Sequence, residues 1–326
     1  MGMPTRLHLR TPAKINLDLR VLHKRPDTFH ELRTVFQTIS LSDTLEIEYH
    51  PSRRTNLELD DPQSIPNNLV LRAAQATLEA LKQHAHIRFR LRKKIPMGAG
   101  LGGGSSNAAA VLLAIQALAN RPLPPDRLLT LASDLGSDVP FFLTGGTALA
   151  LGRGTEVYTL PDIAQEPILL ISPGVHVSTP AAYQALGLSL TSPDASRKMN
   201  SFQLFVRTLG DLRSAGAAST LSANDFESAV FSQHPQLEKM WSRLRKHAAG
   251  ARMTGSGSAL FALFESTAQR DLVKTVLEGD KVMKASRILP ARLVSRSSYR
   301  RMWQKQLAAA GLASDLLWPL PSRHAR

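Results

Sequence analysis

The stretch Pro96-Met97-Gly98-Ala99-Gly100-Leu101-Gly102-Gly103-Gly104-Ser105-Ser106, followed by Asn107 and the apolar run Ala108 to Ile115, places a glycine-rich loop at the head of a helix. Five glycines fall within the seven residues from Gly98 to Gly104. Glycine tolerates positive φ and lets backbone amides approach a ligand closely. A helix start adds unpaired N–H groups and the positive end of the dipole, so the two together make a phosphate cradle. The Ser105 and Ser106 hydroxyls stand where they could reach phosphate oxygens or a Mg²⁺ ion. The bland alternative is a flexible strand-to-helix turn, which rarely needs so many glycines.

Commoner nucleotide motifs do not fit. A Walker loop ends in Gly-Lys-Ser/Thr, and no lysine lies between Lys94 and Lys198. The GAGLGG spacing matches a dinucleotide fingerprint, but Pro122 to Asp126 stands where that motif needs a second strand ending in an acidic residue. Neither His-Arg-Asp nor Asp-Phe-Gly occurs, which excludes the protein-kinase pattern.

Outward from the loop, His86–Leu91 alternates as a strand leading in, and Ser106–Ala119 continues as a buried helix. Thr44–Tyr49 reads as a strand, and His8–Val21 as a strand interrupted at Pro12. Asn68–Gln83 has helical spacing with an Asn-Asn start as N-cap. A short helix is expected at Pro125–Leu135, and a hairpin from Thr147–Leu151 and Thr155–Leu160 around Gly152 and Gly154. Ala164–Pro167 reads as a linker, Pro167–Ser172 as a buried strand, and Thr179-Pro180 as a helix start. Ser189–Ser201 reads as a loop and Ala251–Phe264 as a Gly/Ser loop with a strand. A helix at Thr267–Leu277, a strand near Ile288–Ser295 and a final helix from Tyr299, stopped at Gly311, complete the chain. The irregular alternation favours α+β over a doubly wound sheet.

Four segments set polar residues in apolar surroundings. In TPAKINLDL, period two puts Lys14, Asn16 and Asp18 on one strand face, which could equally be a solvated edge. Phe29-His30 follows a turn at Pro26-Asp27. Asp138 precedes Val139-Pro140-Phe141-Phe142, so it is either an N-cap carboxylate or an ionisable group at the mouth of a core. The loop MTGSGS at Met253–Ser258 is a second small-residue turn, able to pack its backbone closely against the first.

Composition bounds the class. The 326 residues are 43% hydrophobic and 20% charged, which suits a folded chain with a substantial core. There is no cysteine, so thiolate chemistry and disulfides are excluded. The longest apolar run, Ala108–Ala119, is broken by Gln116 and too short to span a bilayer, and no signal-like core opens the chain. A cytoplasmic protein without membrane association is expected. The net charge of +14 allows either polyanionic small ligands or nucleic acid. Much of the excess lies beyond Ala285, where eight basic residues face one acidic residue, so nucleic-acid binding is the weaker reading.

These segments, in order along Thr11 to Ser295, resemble the GHMP superfamily of small-molecule kinases. The form Gly-Leu-Gly-Gly-Gly-Ser-Ser, together with Arg-Pro-Asp at 25–27 and Asn-Asp-Phe-Glu at 224–227, is similar to its isoprenoid-pathway branch, whose acceptor is a small cytidine-diphosphate compound. The resemblance implies an α+β, two-domain fold: an S5-like N-terminal domain at 1–163 and a ferredoxin-like C-terminal domain at 164–296, with a basic helix and tail at 297–326. It implies ATP with Mg²⁺, and Lys14 and Asp138 as the catalytic pair. The carboxylate would take the proton of the attacking hydroxyl, and Lys14 would hold both in register.

By the same resemblance Phe29 and Tyr183 sandwich the cytosine, His30 bonds the base edge, and Asn16 and Thr179 lie near the rest of the acceptor. Lys93 and Asn68 match positions near the adenosine, and Ser106 is the candidate metal contact. The family often has Gly-Tyr where this chain has Thr28-Phe29, which keeps the stacking face and loses a hydroxyl. No nucleic-acid partner is implied, and a monomer or weak homodimer is expected. A homoserine- or mevalonate-type kinase, or a non-catalytic member of the superfamily, are the rival readings.

Overall fold

A computed structural model describes residues 5–187, 194–313 and 317 of the chain. Two long strands organise its first half. β1 (Thr5–Lys24) and β2 (His30–Pro51) pair antiparallel along their whole length. The other edge of β2 is shared: its C-terminal half takes β4 (Ala85–Arg92) and its N-terminal half takes β5 (Thr147–Gly152). β3 (Asn56–Asp60) lies parallel to β4, and β6 (Glu156–Thr159) closes the far side on β5. The expected break at Pro12 is instead a register shift inside a continuous strand. Three such shifts occur, at Pro12/Lys14, Asn16/Asp18 and Val21/His23. A bulge adds a residue and re-aims side chains. Lys14 and Asn16 are thereby isolated between two bulges.

Helices α1 (Leu69–Leu81), α2 (Gly103–Leu118), α3 (Pro125–Leu135) and α4 (Val139–Phe142) pack with this sheet. α2 is apolar nearly all round, and its residues from Ser106 to Ala117 are buried, as a helix enclosed on every side must be.

The second sheet is antiparallel, in the order β10–β7–β9–β8. Its strands are β7 (Pro167–Ser172), β8 (Arg252–Met253), β9 (Leu260–Leu263) and β10 (Arg287–Arg292). Numbered within this half the order is 4-1-3-2, the ferredoxin-like arrangement. Among the described residues, five α-helices separate β7 from β8: α5 (Thr179–Ala185), α6 (Ala195–Leu212), α7 (Ala215–Ala218), α8 (Phe226–Gln233) and α9 (Pro235–Arg245). α10 (Thr267–Glu278) separates β9 from β10.

Three expectations need correction here. Ala251–Phe264 is a hairpin of two short strands around the Thr254–Ser258 turn, because its glycines turn the chain back. The stretch taken for a loop at Ser189–Ser201 is helical from Ala195, where α6 buries Phe202, Phe205 and Leu209 on one face; residues 189–193 lie outside those described. The strand expected to reach Ser295 ends at Arg292.

The last helix, α11 (Arg296–Ala309), returns to the first half, where Tyr299, Trp303 and Leu307 are buried in the same core as α1 and α2. Tyr299 Oη donates to the Phe142 carbonyl at 2.6 Å, satisfying an acceptor at the C-terminal end of α4.

Candidate active site

The loop from Pro96 to Gly102 is fixed from below by a carboxylate that sequence reasoning passed over. Asp43, fully buried on β2, accepts from the amides of Lys94 at 2.7 Å and Ile95 at 2.9 Å, and from Asn107 Nδ2 at 3.3 Å. It also pairs with the Lys93 ammonium. Lys93 is thereby turned under the loop. Asn68 is similarly occupied, its Oδ1 capping α1 at Val70 N and its Nδ2 donating to Asp61.

The loop ends at Gly102, and α2 begins at Gly103 with no side-chain cap. A Cβ on Gly102 would meet Lys14 Cγ and Phe142 at 3.0 Å, so the cradle closes down to backbone there. The Ser106 hydroxyl is buried without a hydrogen-bond partner. A buried polar atom left unpaired calls for a ligand, and an uncapped helix start beside it suits phosphate. The residues therefore fit a nucleotide phosphate.

Across from the loop, Lys14 is 4% exposed, and its ammonium donates to Asn16 Oδ1 at 2.8 Å and lies 3.3 Å from Asp138 Oδ2. It also sits 5.0 Å above the centroid of Phe36. Asp138 stands at the N-cap position of α4, yet its carboxylate makes no cap hydrogen bond. The capping reading of Asp138 fails, and its carboxylate faces Lys14 instead. Asn16 spends both ends of its amide: Oδ1 on Lys14, and Nδ2 on Thr34 Oγ1 at 2.8 Å. Thr34 in turn donates to the Asp18 carbonyl at 2.6 Å. Such a satisfied network holds the lysine in one position.

The second Gly/Ser loop closes this side. Asn16 N donates to Thr254 Oγ1 at 3.0 Å, and Ala259 N donates to the Ala99 carbonyl at 3.2 Å. The two loops pack backbone to backbone, as their composition suggested.

A cavity of about 810 Å³ opens over the pair, and its lining takes in Lys14, Asn16, Gly100, Ser105 and Asp138. At its other end it is lined by Phe29, His30, Thr179 and Tyr183. The sequence-derived acceptor residues are thus brought together, but the rings pair differently from the expected sandwich. His30 stacks on Tyr183 at 4.5 Å between centroids, Phe226 meets Tyr183 edge-on, and Phe29 lies under the Arg153 guanidinium at 4.1 Å. Burial, and then the charge of Lys24, lowers the His30 pKa, which keeps its imidazole neutral at pH 7. Burial, with a contribution from the Asp138 charge, pushes the Tyr183 phenol up to about 12. Thr179 shares a hydrogen bond of 2.8 Å with Ser256 of the second loop.

Thr34, Asp43, Thr254 and Ser256 escaped the sequence reading. Each carries an ordinary polar side chain on a strand or turn, and only the tertiary pairing gives it a role. Asp43 left the one usable signal, as a carboxylate entering an alternating strand.

Comparison with known proteins agrees with this fold. Residues 68–146 match the family model for the GHMP kinases N terminal domain, and residues 201–280 match that for GHMP kinases C terminal. A 4-diphosphocytidyl-2-C-methyl-D-erythritol kinase of Solibacter usitatus (strain Ellin6076) is 47% identical over 99% of both chains. The crystal structure of a 4-(cytidine 5'-diphospho)-2C-methyl-D-erythritol kinase superposes with a TM-score of 0.71 at 34% identity, covering 88% of this chain and 99% of that one. A homoserine kinase from Cytophaga hutchinsonii, at 19% identity and a TM-score of 0.67 over 90% of this chain and 99% of its own, shares the fold. The chain belongs to the GHMP kinase family, in the branch of the 4-diphosphocytidyl-2-C-methyl-D-erythritol kinases.

Proposed function

We propose that this chain transfers the γ-phosphoryl group of ATP to the 2-hydroxyl of 4-diphosphocytidyl-2-C-methyl-D-erythritol, giving the 2-phosphate and ADP, as a step in non-mevalonate isoprenoid precursor synthesis. The observation that carries this reading is the Asp138 carboxylate, turned from its helix toward Lys14 in the cavity that also holds Phe29, His30 and Tyr183.

Phosphoryl transfer asks a protein mostly for positioning and charge stabilisation. The hydroxyl oxygen forms the new bond to the γ-phosphorus, the bond to the β-bridging oxygen breaks, and the hydroxyl proton passes to Asp138. Lys14, held by Asn16, keeps hydroxyl and carboxylate together. The amides from Gly98 to Ser106 receive the donor's phosphates. Neutral His30 offers one donor and one acceptor to the edge of a base, while Phe29 and Tyr183 supply ring faces.

No cluster of three or more His, Cys, Asp or Glu able to hold a metal exists among the described residues. Mg²⁺ would therefore be carried largely by the donor's phosphates, with Ser106 as a protein oxygen beside them. When bound, it would neutralise charge developing between the β- and γ-phosphates. No described helix is long and apolar enough to cross a membrane, in keeping with a cytoplasmic enzyme.

The test is coupled ADP release with Mg-ATP and this acceptor, wild type beside Asp138→Ala. General-base assistance is worth about 10²–10⁴-fold, so turnover should fall by that range while nucleotide binding persists. A wild type that binds ATP but is idle with this acceptor would overturn the substrate and move the search to homoserine, mevalonate and sugar alcohols.

A further inference from the structure

We propose that Arg153 and Lys24 form the subsite for the acceptor's diphosphate, which makes Arg153 a specificity-determining residue; this rests on the substrate reading above. Three cations line the cavity, Lys14, Lys24 and Arg153, against a single lining carboxylate, Asp138, among the described residues. Lys14 and Asp138 neutralise one another. Two positive charges remain, equal in number to the charges on the diphosphate that links base to alcohol.

Their neighbours are accounted for. Arg25 pairs with Glu31 and Asp27, Arg33 pairs with Glu31, and Lys198 pairs with Asp225. No carboxylate pairs with Lys24 or Arg153 among the described residues. An unpaired cation on the wall of a cavity raises the local concentration of anions.

Topology sets these two beside the base platform. Lys24 is the β1 partner of His30, at the turn that carries Phe29. Arg153 follows Gly152, whose β2 partner is Leu32, so the β5–β6 turn lies next to the β1–β2 turn. The guanidinium rests on the Phe29 ring, which orients its plane and leaves its edge donors free. Arginine matches paired phosphate oxygens with two parallel N–H donors, and lysine adds a point charge.

Calorimetric titration of cytidine, CMP and CDP tests this without catalysis, on wild type, Arg153→Met and Lys24→Met. Methionine keeps most of either apolar stem and removes the charge together with its N–H donors. Wild type should tighten with each phosphate, CDP exceeding cytidine by about 10-fold or more, with the gain shrinking as salt rises. Each variant should lose most of that gain and keep the cytidine affinity and the affinity for a non-hydrolysable ATP analogue, which certifies the fold. In turnover the acceptor KM should rise about 10-fold for either variant, with kcat moving far less.

CDP binding no tighter than cytidine to a wild type that phosphorylates the acceptor overturns the subsite alone. Variants that retain the full gain do the same, and so does equal loss of ATP-analogue binding, which would give these cations to the donor. A wild type that binds none of the three cytidine ligands overturns the substrate reading and this inference with it.

Discussion

The two ends of the cavity are built on different principles. At the chemical end, Lys14 and Asn16 are 4% exposed, lie between two bulges of a central strand, and have their hydrogen bonds filled by Thr34 and Thr254. At the recognition end, Phe29 is 48% exposed on a turn, and its platform is completed by Arg153 from another turn. Reacting groups must be held to fractions of an ångström. A base can be gripped by surfaces that shift to meet it, and loops on a rigid scaffold commonly carry such recognition. The chemical end should therefore fail abruptly on small steric changes, and the recognition end should give way gradually.

The largest effect is expected where the two small-residue loops meet. Gly100 has φ +75°, and a Cβ there would stand 2.2 Å from the Thr254 carbonyl oxygen. Gly187, on the acceptor side, has a similar φ of +59° with nothing within 4 Å. Left-handed strain costs each alanine about 1–2 kcal/mol, and only Gly100→Ala adds an overpacking cost of about 1–3 kcal/mol. Urea midpoints should thus separate the two variants, with kcat falling sharply for Gly100→Ala alone. Equal loss in both would mean that loop-to-loop packing contributes nothing.

The second prediction concerns the carboxylate that backs the second loop. Glu227 accepts from Met253 N at 2.8 Å, and burial pushes its pKa from 4.5 to about 7. A raised carboxyl binds its proton more tightly in the folded chain, so its stabilising effect is complete below about 4.5 and is lost as pH rises through about 7. That separation is worth up to about 3 kcal/mol. Asp18, raised to about 6 by burial despite its Arg20 partner, slopes in the same direction. The diagnostic is therefore the difference between wild type and Glu227→Gln in denaturant midpoints at pH 4.5 and 7.5. The variant should show the shallower decline, and parallel declines would contradict a buried, protonated Glu227.

How much of this was legible in the sequence follows the same division. The glycine loop, Lys14 and Asp138 announce themselves because their local chemistry is unusual for their setting. The ends of α3 and of β7 were readable from local pattern alone. β2 was half hidden, because residues 30–43 include Gln37, Thr38 and Asp43, polar groups buried against partners distant in sequence. α6 was not read as a helix: it opens on the polar run Ser196 to Lys198, and its helical character comes from the buried face further on. Lys24 and Arg153 carry no local signal. Their significance lies in what fails to pair with them, which only a folded chain displays.

The smallest effect should come from the turn that presents Phe29. The Thr28 amide donates to the Arg25 carbonyl, and the Arg25 amide donates to the Phe29 carbonyl at 2.7 Å, so a short loop ends in a residue with φ 70°. Hairpins of this kind place glycine at the left-handed position, which accounts for the glycine common there in the family. Threonine, being β-branched, is strained at such a φ. Thr28→Gly should relieve about 1–2 kcal/mol of strain and forfeit about 0.4–1 kcal/mol through the freer unfolded chain. The net gain in stability should be about 1 kcal/mol or less, read as a small rise in melting temperature. Acceptor KM should change far less than in Arg153→Met, since no base-contacting group is removed. A destabilised Thr28→Gly would show that the threonine side chain itself holds the platform, and the recognition end would then be as tightly specified as the chemical one.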